Sequence, residues 1–169
     1  LAHMHGCGVL HRDLKPANIL FDAAGAPKLV DFGLARFDDA RRLTLTGEVM
    51  GTPAFMAPEQ MSGRRDDTGP WCDVWALGAV LFYTLTGNPP YQGGGALDVM
   101  TQVSEQPPPP VRSQRPDTPP ELAELVARIM DHDVESRPTA AQVAIALERY
   151  VARQFGGRTS IDAPPPPGG

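Results

Sequence analysis

His11-Arg12-Asp13-Leu14-Lys15-Pro16-Ala17-Asn18, followed by Asp31-Phe32-Gly33, is the stretch on which the reading of this chain turns. It gathers an Asp, a Lys, an Asn and a second Asp on short segments between apolar runs. Phosphoryl transfer needs such a set: a carboxylate to orient the attacking hydroxyl, a cation to balance the transferred group, and oxygen ligands for a divalent metal. Asn18 and Asp31 offer hard oxygens of the kind Mg²⁺ prefers. Asp31 stands two residues before Gly33, where a permissive backbone can turn a carboxylate inward. Taken singly, Asp13, Asn18 and Asp31 read equally well as turn or cap residues. Their combination and spacing point to chemistry.

Working outward, residues 1–36 alternate short apolar runs with turns. Gly8–His11, Asn18–Phe21 and Lys28–Val30 are expected to be short extended segments, with a turn over Asp22–Gly25. Leu1–Gly6 reads as the end of a helix capped by Gly6. It has neither the basic nor the apolar region of a signal peptide. Residues 37–70 lack periodicity and read as one long loop, a feature that is usually functional in a compact domain. Cys72–Leu85 is apolar on nearly all sides, which predicts a helix in the middle of the domain. Gly87-Asn88-Pro89-Pro90 stops it. Leu97, Met100 and Val103 suit a short amphipathic helix, and Pro107–Pro120 reads as a loop. Leu122, Leu125, Val126, Ile129 and Met130 form a helical stripe. Thr139 with Gln142 is a capping-box signal, opening a helix with Val143, Leu147 and Tyr150 on one face. Asp131-His132-Asp133 resembles a metal cluster on paper but reads better as a turn after a helix. From Gly156 onward the chain, with Pro164–Pro167, is expected to be disordered.

The 169 residues, 41% hydrophobic and 21% charged, suit one globular domain. Gly (17) and Pro (19) are concentrated in the loops and tail. A net charge of −5 argues against binding to nucleic acid or to an anionic membrane surface. The two cysteines, Cys7 and Cys72, lack metal-ligand spacing and read as reduced, small buried residues of a cytoplasmic protein. No apolar run is long enough to span a membrane. Only Lys15 and Lys28 are lysines; the other basic residues are arginine.

H-R-D-L-K-P-A-N and D-F-G resemble the catalytic loop and metal-binding motif of eukaryotic-type Ser/Thr protein kinases. The resemblance continues in Gly51-Thr52-Pro53-Ala54-Phe55-Met56-Ala57-Pro58-Glu59, similar to the end of the activation segment. It extends to Asp73-Val74-Trp75-Ala76-Leu77-Gly78, similar to the central helix of the large lobe, and to Arg137-Pro138-Thr139. The wording around Gly51–Gln60 is most like bacterial members. These motifs stand in family order over residues 1 to about 150.

The resemblance implies an α+β, mostly α fold: the large lobe of the kinase domain over residues 1–155, with residues 156–169 as a tail. It implies ATP and Mg²⁺ as cofactors and a Ser/Thr-bearing protein as substrate. Asp13 would be the catalytic base. Lys15 would touch the γ-phosphate, Asn18 and Asp31 would ligate Mg²⁺, and Leu20 would pack under the adenine. Thr52 would bond near Asp13 and Lys15. His11 and Phe32 would belong to the packed spine, and Asp73 would anchor the catalytic loop. Glu59 and Arg137 would form a buried ion pair. Arg12 would receive a phosphorylated activation-segment residue, for which Thr44 and Thr46 are the candidates.

The resemblance also implies parts that these residues do not contain. A kinase needs a Gly-rich loop over the phosphates and a strand lysine paired to a helix glutamate. Gly6-Cys7-Gly8 and Gly93-Gly94-Gly95 are in the wrong context. Lys28, three residues before Asp31, is in the wrong place for the strand lysine. The small lobe is therefore expected to be absent, and the isolated chain to bind ATP weakly. Leu20, and the central helix around Trp75 and Phe82, are expected to expose apolar surface that a small lobe or another partner would cover. Two alternatives stand beside the kinase reading. One is a non-catalytic, kinase-like interaction lobe. The other is a small-molecule phosphotransferase of related fold, against which residues 51–59 count. The parent protein could be anchored to a membrane through a segment outside this sequence.

Overall fold

The long apolar run of the sequence becomes the axis around which the other helices pack. The computed structural model describes residues 1–31, 53–61 and 67–156. Phe32, Thr44, Thr46 and Thr52 lie outside the described residues, as does the tail beyond Gly156. In chain order the helices are α1 (Ala2–Gly6), α2 (Pro58–Met61), α3 (Pro70–Thr86), α4 (Ala96–Glu105), α5 (Val111–Gln114), α6 (Pro120–Ile129) and α7 (Ala140–Phe155). Single 3-10 turns occupy Pro16–Asn18, Pro53–Phe55 and Val134–Ser136. The described residues contain one sheet, an antiparallel hairpin of β1 (Ile19–Phe21) and β2 (Pro27–Leu29).

Helix α3 begins two residues earlier than its apolar run because Pro70 takes the first helical position, where its missing N–H costs nothing. Gly87 ends it in the left-handed conformation (φ 80°), its N–H bonded to the Tyr83 carbonyl. One face of α3 carries Cys72, Trp75, Ala79 and Phe82 into a cluster with Phe55, Tyr91, Val99, Val103, Val111 and Met130. The other carries Val74 into a cluster with Leu125, Ile129, Ala140 and Val143, against which Leu1 and Ala2 also pack. Gly78 permits the close approach of α6. A Cβ there would lie 2.6 Å from Ile129 Cγ2 and from Met130 Cγ, so a side chain at this position would have to displace them.

Trp75 and Phe82, expected to lie in an exposed apolar surface, are both fully buried. Segments that follow α3 supply the cover. Val103 of α4, Val111 of α5 and Met130 at the end of α6 fill the Phe82 side. The Arg137 guanidinium lies over the Trp75 ring, 4.9 Å from its centroid, and the His132 ring lies at 5.4 Å. At the hairpin, as expected for Leu20, apolar surface is open: Leu20 is 53% and Phe21 70% exposed.

Several local expectations shift. Among the described residues Gly8–His11 pairs with no strand; the chain reverses at Gly8 (φ 72°) and the Val9 N–H bonds back to the Met4 carbonyl. The cap of α1 falls on Cys7, not Gly6. Cys7 is exposed, not a buried apolar residue, whereas Cys72 is buried. β2 ends at Leu29: the Val30 N–H still bonds to the Asn18 carbonyl in register with the ladder, but the Asn18 N–H turns back to the Lys15 carbonyl in the 3-10 turn and not to Val30. The expected loop 37–70 includes the 3-10 turn Pro53–Phe55 and α2. The Pro107–Pro120 stretch is interrupted by α5. In α4 the buried pair is Val99 and Val103, while Leu97 is 68% exposed. These two valines are four apart and share a face; Leu97 lies on another. Helix α7 opens with the Thr139–Gln142 capping box, both hydrogen bonds formed.

Candidate active site

The segment His11–Asn18 crosses from α1 to the hairpin with almost no secondary structure of its own, so other elements must fix its backbone. Asp73, in the first turn of α3 and 1% exposed, does so from below. Its Oδ2 accepts the His11 N–H at 2.7 Å and its Oδ1 accepts the Arg12 N–H at 2.6 Å. Its Oδ2 also meets His5 Nε2 at 2.9 Å. A buried carboxylate is tolerated only when its oxygens are satisfied in this way. The grip coincides with strain: Arg12 sits in the left-handed region (φ 66°), which costs a non-glycine residue about 1–2 kcal/mol. Asp31 is the other described non-glycine residue at positive φ (56°).

With the backbone so turned, three polar side chains meet. Asp13 Oδ2 accepts from Lys15 Nζ at 2.8 Å and from Asn18 Nδ2 at 3.1 Å. Asn18 Nδ2 also donates to the Asp13 carbonyl at 2.8 Å. Asn18 is buried, while the side chains of Asp13 and Lys15 are 26% and 24% exposed. The carboxylate is therefore held from inside and open to solvent outside. Asp31 enters next to this cluster. The preceding residue, Val30, donates its N–H to the Asn18 carbonyl at 3.0 Å, and its own carbonyl meets His11 Nε2 at 3.1 Å. His11 itself is fully buried. Its Nε2 faces a carbonyl and so carries the proton.

A second polar cluster lies behind the loop. Arg137, its side chain 1% exposed, forms two hydrogen bonds with Glu59: Nη1 to Oε1 at 2.5 Å and Nη2 to Oε2 at 3.0 Å. Nε donates to the Asp131 carbonyl at 2.6 Å, and Nη1 also reaches the Trp71 carbonyl. This planar, two-point pairing is what guanidinium geometry favours. The Cys72 thiol donates to Glu59 Oε1 at 3.3 Å. Burial, with the negative charge of Glu59 beside it, pushes that thiol far above its ordinary range, so it stays protonated. Asp131 and Asp133 spend their carboxylates on the turn after α6. Asp131 Oδ1 accepts the Asp133 N–H, and Asp133 accepts from Glu135 N–H and the Ser136 hydroxyl.

Two contributors carry no sequence signal strong enough to find them. His5 sits in what reads only as a helix tail, and its partner Asp73 is 68 residues away. Gln60 follows Glu59 in the motif, yet its contact with the His11–Asn18 segment at Arg12 spans 48 residues.

The chain matches the protein kinase domain over residues 1–146, and it belongs to the protein kinase family. Its relatives are bacterial serine/threonine kinases. It is 42% identical to the serine/threonine-protein kinase PkaA of Streptomyces coelicolor, over 92% of this chain and 28% of that protein. It is 44% identical to the serine/threonine-protein kinase PknA of Mycobacterium tuberculosis, over 72% of this chain and 27% of that protein. It is 40% identical to the DNA damage-responsive serine/threonine-protein kinase RqkA of Deinococcus radiodurans, over 92% of this chain and 23% of that protein. The chain thus spans about a quarter of the length of these curated relatives. Among the described residues no helix is long and apolar enough to cross a membrane.

Proposed function

We propose that this chain is the large-lobe portion of a Ser/Thr protein kinase, transferring the terminal phosphoryl group of Mg-ATP to a protein hydroxyl. The observation that carries the reading is the meeting of Asp13, Lys15 and Asn18 on one carboxylate, over a backbone gripped by buried Asp73. Asp13 orients the substrate hydroxyl and takes its proton. Its solvent-facing side leaves room for that hydroxyl, and a positioned base of this kind contributes about 10²–10⁴-fold in rate. Lys15 has three donors; one holds Asp13, and the others are available to a phosphoryl oxygen beside it. Asn18 has committed its Nδ2 to Asp13, so it can offer a cation only its carbonyl Oδ1. That oxygen and the exposed Asp31 carboxylate suit Mg²⁺ in donor type. Bound Mg-ATP would supply the phosphoryl group and neutralise its charge.

Leu20 offers an apolar surface for an adenine. Thr52 completes the substrate side, and phosphorylated Thr44 or Thr46 would bring an anion to Arg12. His11, fully buried, fits the packed spine that the resemblance implies. The kinase body extends to residue 155, with 156–169 a tail. Lys28 lies 3.4 Å from Asp22 in the hairpin, which supports the view that neither lysine serves as the family's strand lysine. The isolated 169-residue chain is accordingly expected to transfer phosphate poorly. The exposed Leu20, Phe21 and Val9 favour one competing reading, an interaction lobe that acts by docking.

The test is transfer of radiolabel from ATP to serine or threonine of a protein substrate by the protein that carries this chain. Asp13→Asn is expected to lower transfer by at least about 100-fold at unchanged melting temperature. Transfer that survives Asp13→Asn would overturn the assignment, and a wild type that transfers nothing would favour the docking lobe. Strong transfer by the isolated 169-residue chain, abolished by Asp13→Asn, would overturn the expectation that it is weak alone.

A further inference from the structure

The left-handed residue Arg12 is held on its N–H side by Asp73, but its carbonyl side needs a partner too. That carbonyl belongs to the peptide plane shared with Asp13. Rotating the plane swings the Asp13 Cα and, with it, the carboxylate. The partner is Gln60, from the short helix α2. Its Nε2 donates to the Arg12 carbonyl at 3.1 Å, while its Oε1 accepts the Ala57 N–H at 3.0 Å. The two contacts fix which end of the amide is nitrogen and which is oxygen. Asn18 holds the Asp13 carbonyl on the far side of the residue. The Asp13 backbone is therefore clamped on both flanks, by Gln60 before it and Asn18 after it.

We propose that Gln60 is a positioning residue: it sets the plane of the Arg12–Asp13 peptide and so ties the alignment of the Asp13 carboxylate to the placement of α2. Segment 57–60 is held to the body by the Glu59–Arg137 pair, so the clamp joins the catalytic loop to the segment whose placement that pair secures. The inference rests on the reading of Asp13 as the catalytic base. A carboxylate displaced by a fraction of an ångström loses rate and not affinity, because the misalignment is felt only as the proton moves.

Two substitutions separate the two bonds of Gln60 in the protein that carries this chain. Gln60→Glu keeps an acceptor for the Ala57 N–H and loses the donor to Arg12. Gln60→Met, of similar length, loses both. Both are expected to lower kcat by about 10- to 100-fold while KM for ATP stays within about twofold. The melting temperature of Gln60→Glu should stay at the wild-type value. In ¹⁵N-aspartate-labelled protein the Asp13 amide resonance should move in both variants. Unchanged kcat in both variants would overturn the proposal. So would loss confined to Gln60→Met, which would assign the effect to the Ala57 bond, or loss no greater than the fall in folded fraction. Should the wild type itself transfer no phosphate, the base assignment fails and the Asp13 resonance still decides the clamp: movement in Gln60→Glu supports it, and none overturns it.

Discussion

The loop region, residues 8–31, and the helical body around α3 are built on opposite terms. The body is long helices packed apolar face to apolar face, with Trp75, Phe82, Ile129 and Met130 sealed from solvent. The loop region is two three-residue strands, one 3-10 turn, two non-glycine residues at positive φ and exposed Leu20 and Phe21. A segment like that cannot hold its own shape: a two-stranded hairpin is marginal by itself. It is held because the body lends it buried polar groups: Asp73 from α3 and, through Glu59 and Arg137, the segment that carries Gln60. The comparison teaches where each kind of damage should appear. Changes in the body should cost stability, and changes in the loop should cost function and local order.

The largest effect on stability is expected where the two regions are joined. Glu59→Ala leaves the buried Arg137 guanidinium without its partner and should cost about 3–5 kcal/mol, read as a lower denaturation midpoint. Phe82→Ala, purely within the body, should cost a similar about 3–5 kcal/mol in the same measurement. Gly78→Val presses against Ile129 and Met130 and should cost about 1–3 kcal/mol by overpacking. Thr139→Ala removes one half of the α7 capping box, worth about 1 kcal/mol.

The smallest effect belongs to the hairpin turn. Asp22 Oδ1 accepts the N–H groups of Ala26 and Ala24. The Ala26 N–H foremost, opposed by desolvation and aided by Ala24 and Lys28, holds the carboxyl below its ordinary value. A carboxyl lowered in the folded state gives support that is present above its unfolded pKa and lost as the pH falls through the folded one. Hairpin amide protection should therefore weaken on acidification below the usual aspartate range. In Asp22→Asn that pH dependence should vanish.

The parts legible in the sequence were those written in local pattern. The α3 run, the α6 stripe and the Thr139–Gln142 box each depend on residues within a few positions of one another, and each gave its helix. The turn at Asp22 was legible for the same reason. The burial of Trp75 and Phe82 is not legible in the sequence because their cover comes from Val103, Val111 and Arg137, whose approach depends on tertiary contact and not on pattern. In α4 a stripe of 97, 100 and 103 competes with one of 99 and 103, and only packing against the Pro53–Phe55 turn and α2 chooses between them. At the site, the ordered motifs brought out the polar residues that cluster at Asp13. His5 and Gln60 act across 68 and 48 residues, and nothing near them in sequence marks their partners.

The dependence of the loop on the body is tested most directly by amide hydrogen exchange in Asp73→Asn. The amide side chain replaces one acceptor oxygen with a donor, facing a group that must itself donate. The His11 and Arg12 amides should exchange at least about tenfold faster, which corresponds to about 1.4 kcal/mol of lost protection, while the α6 amides of Leu125–Ile129 keep theirs. Unchanged protection at His11 and Arg12, or a loss shared equally by α6, would contradict the account.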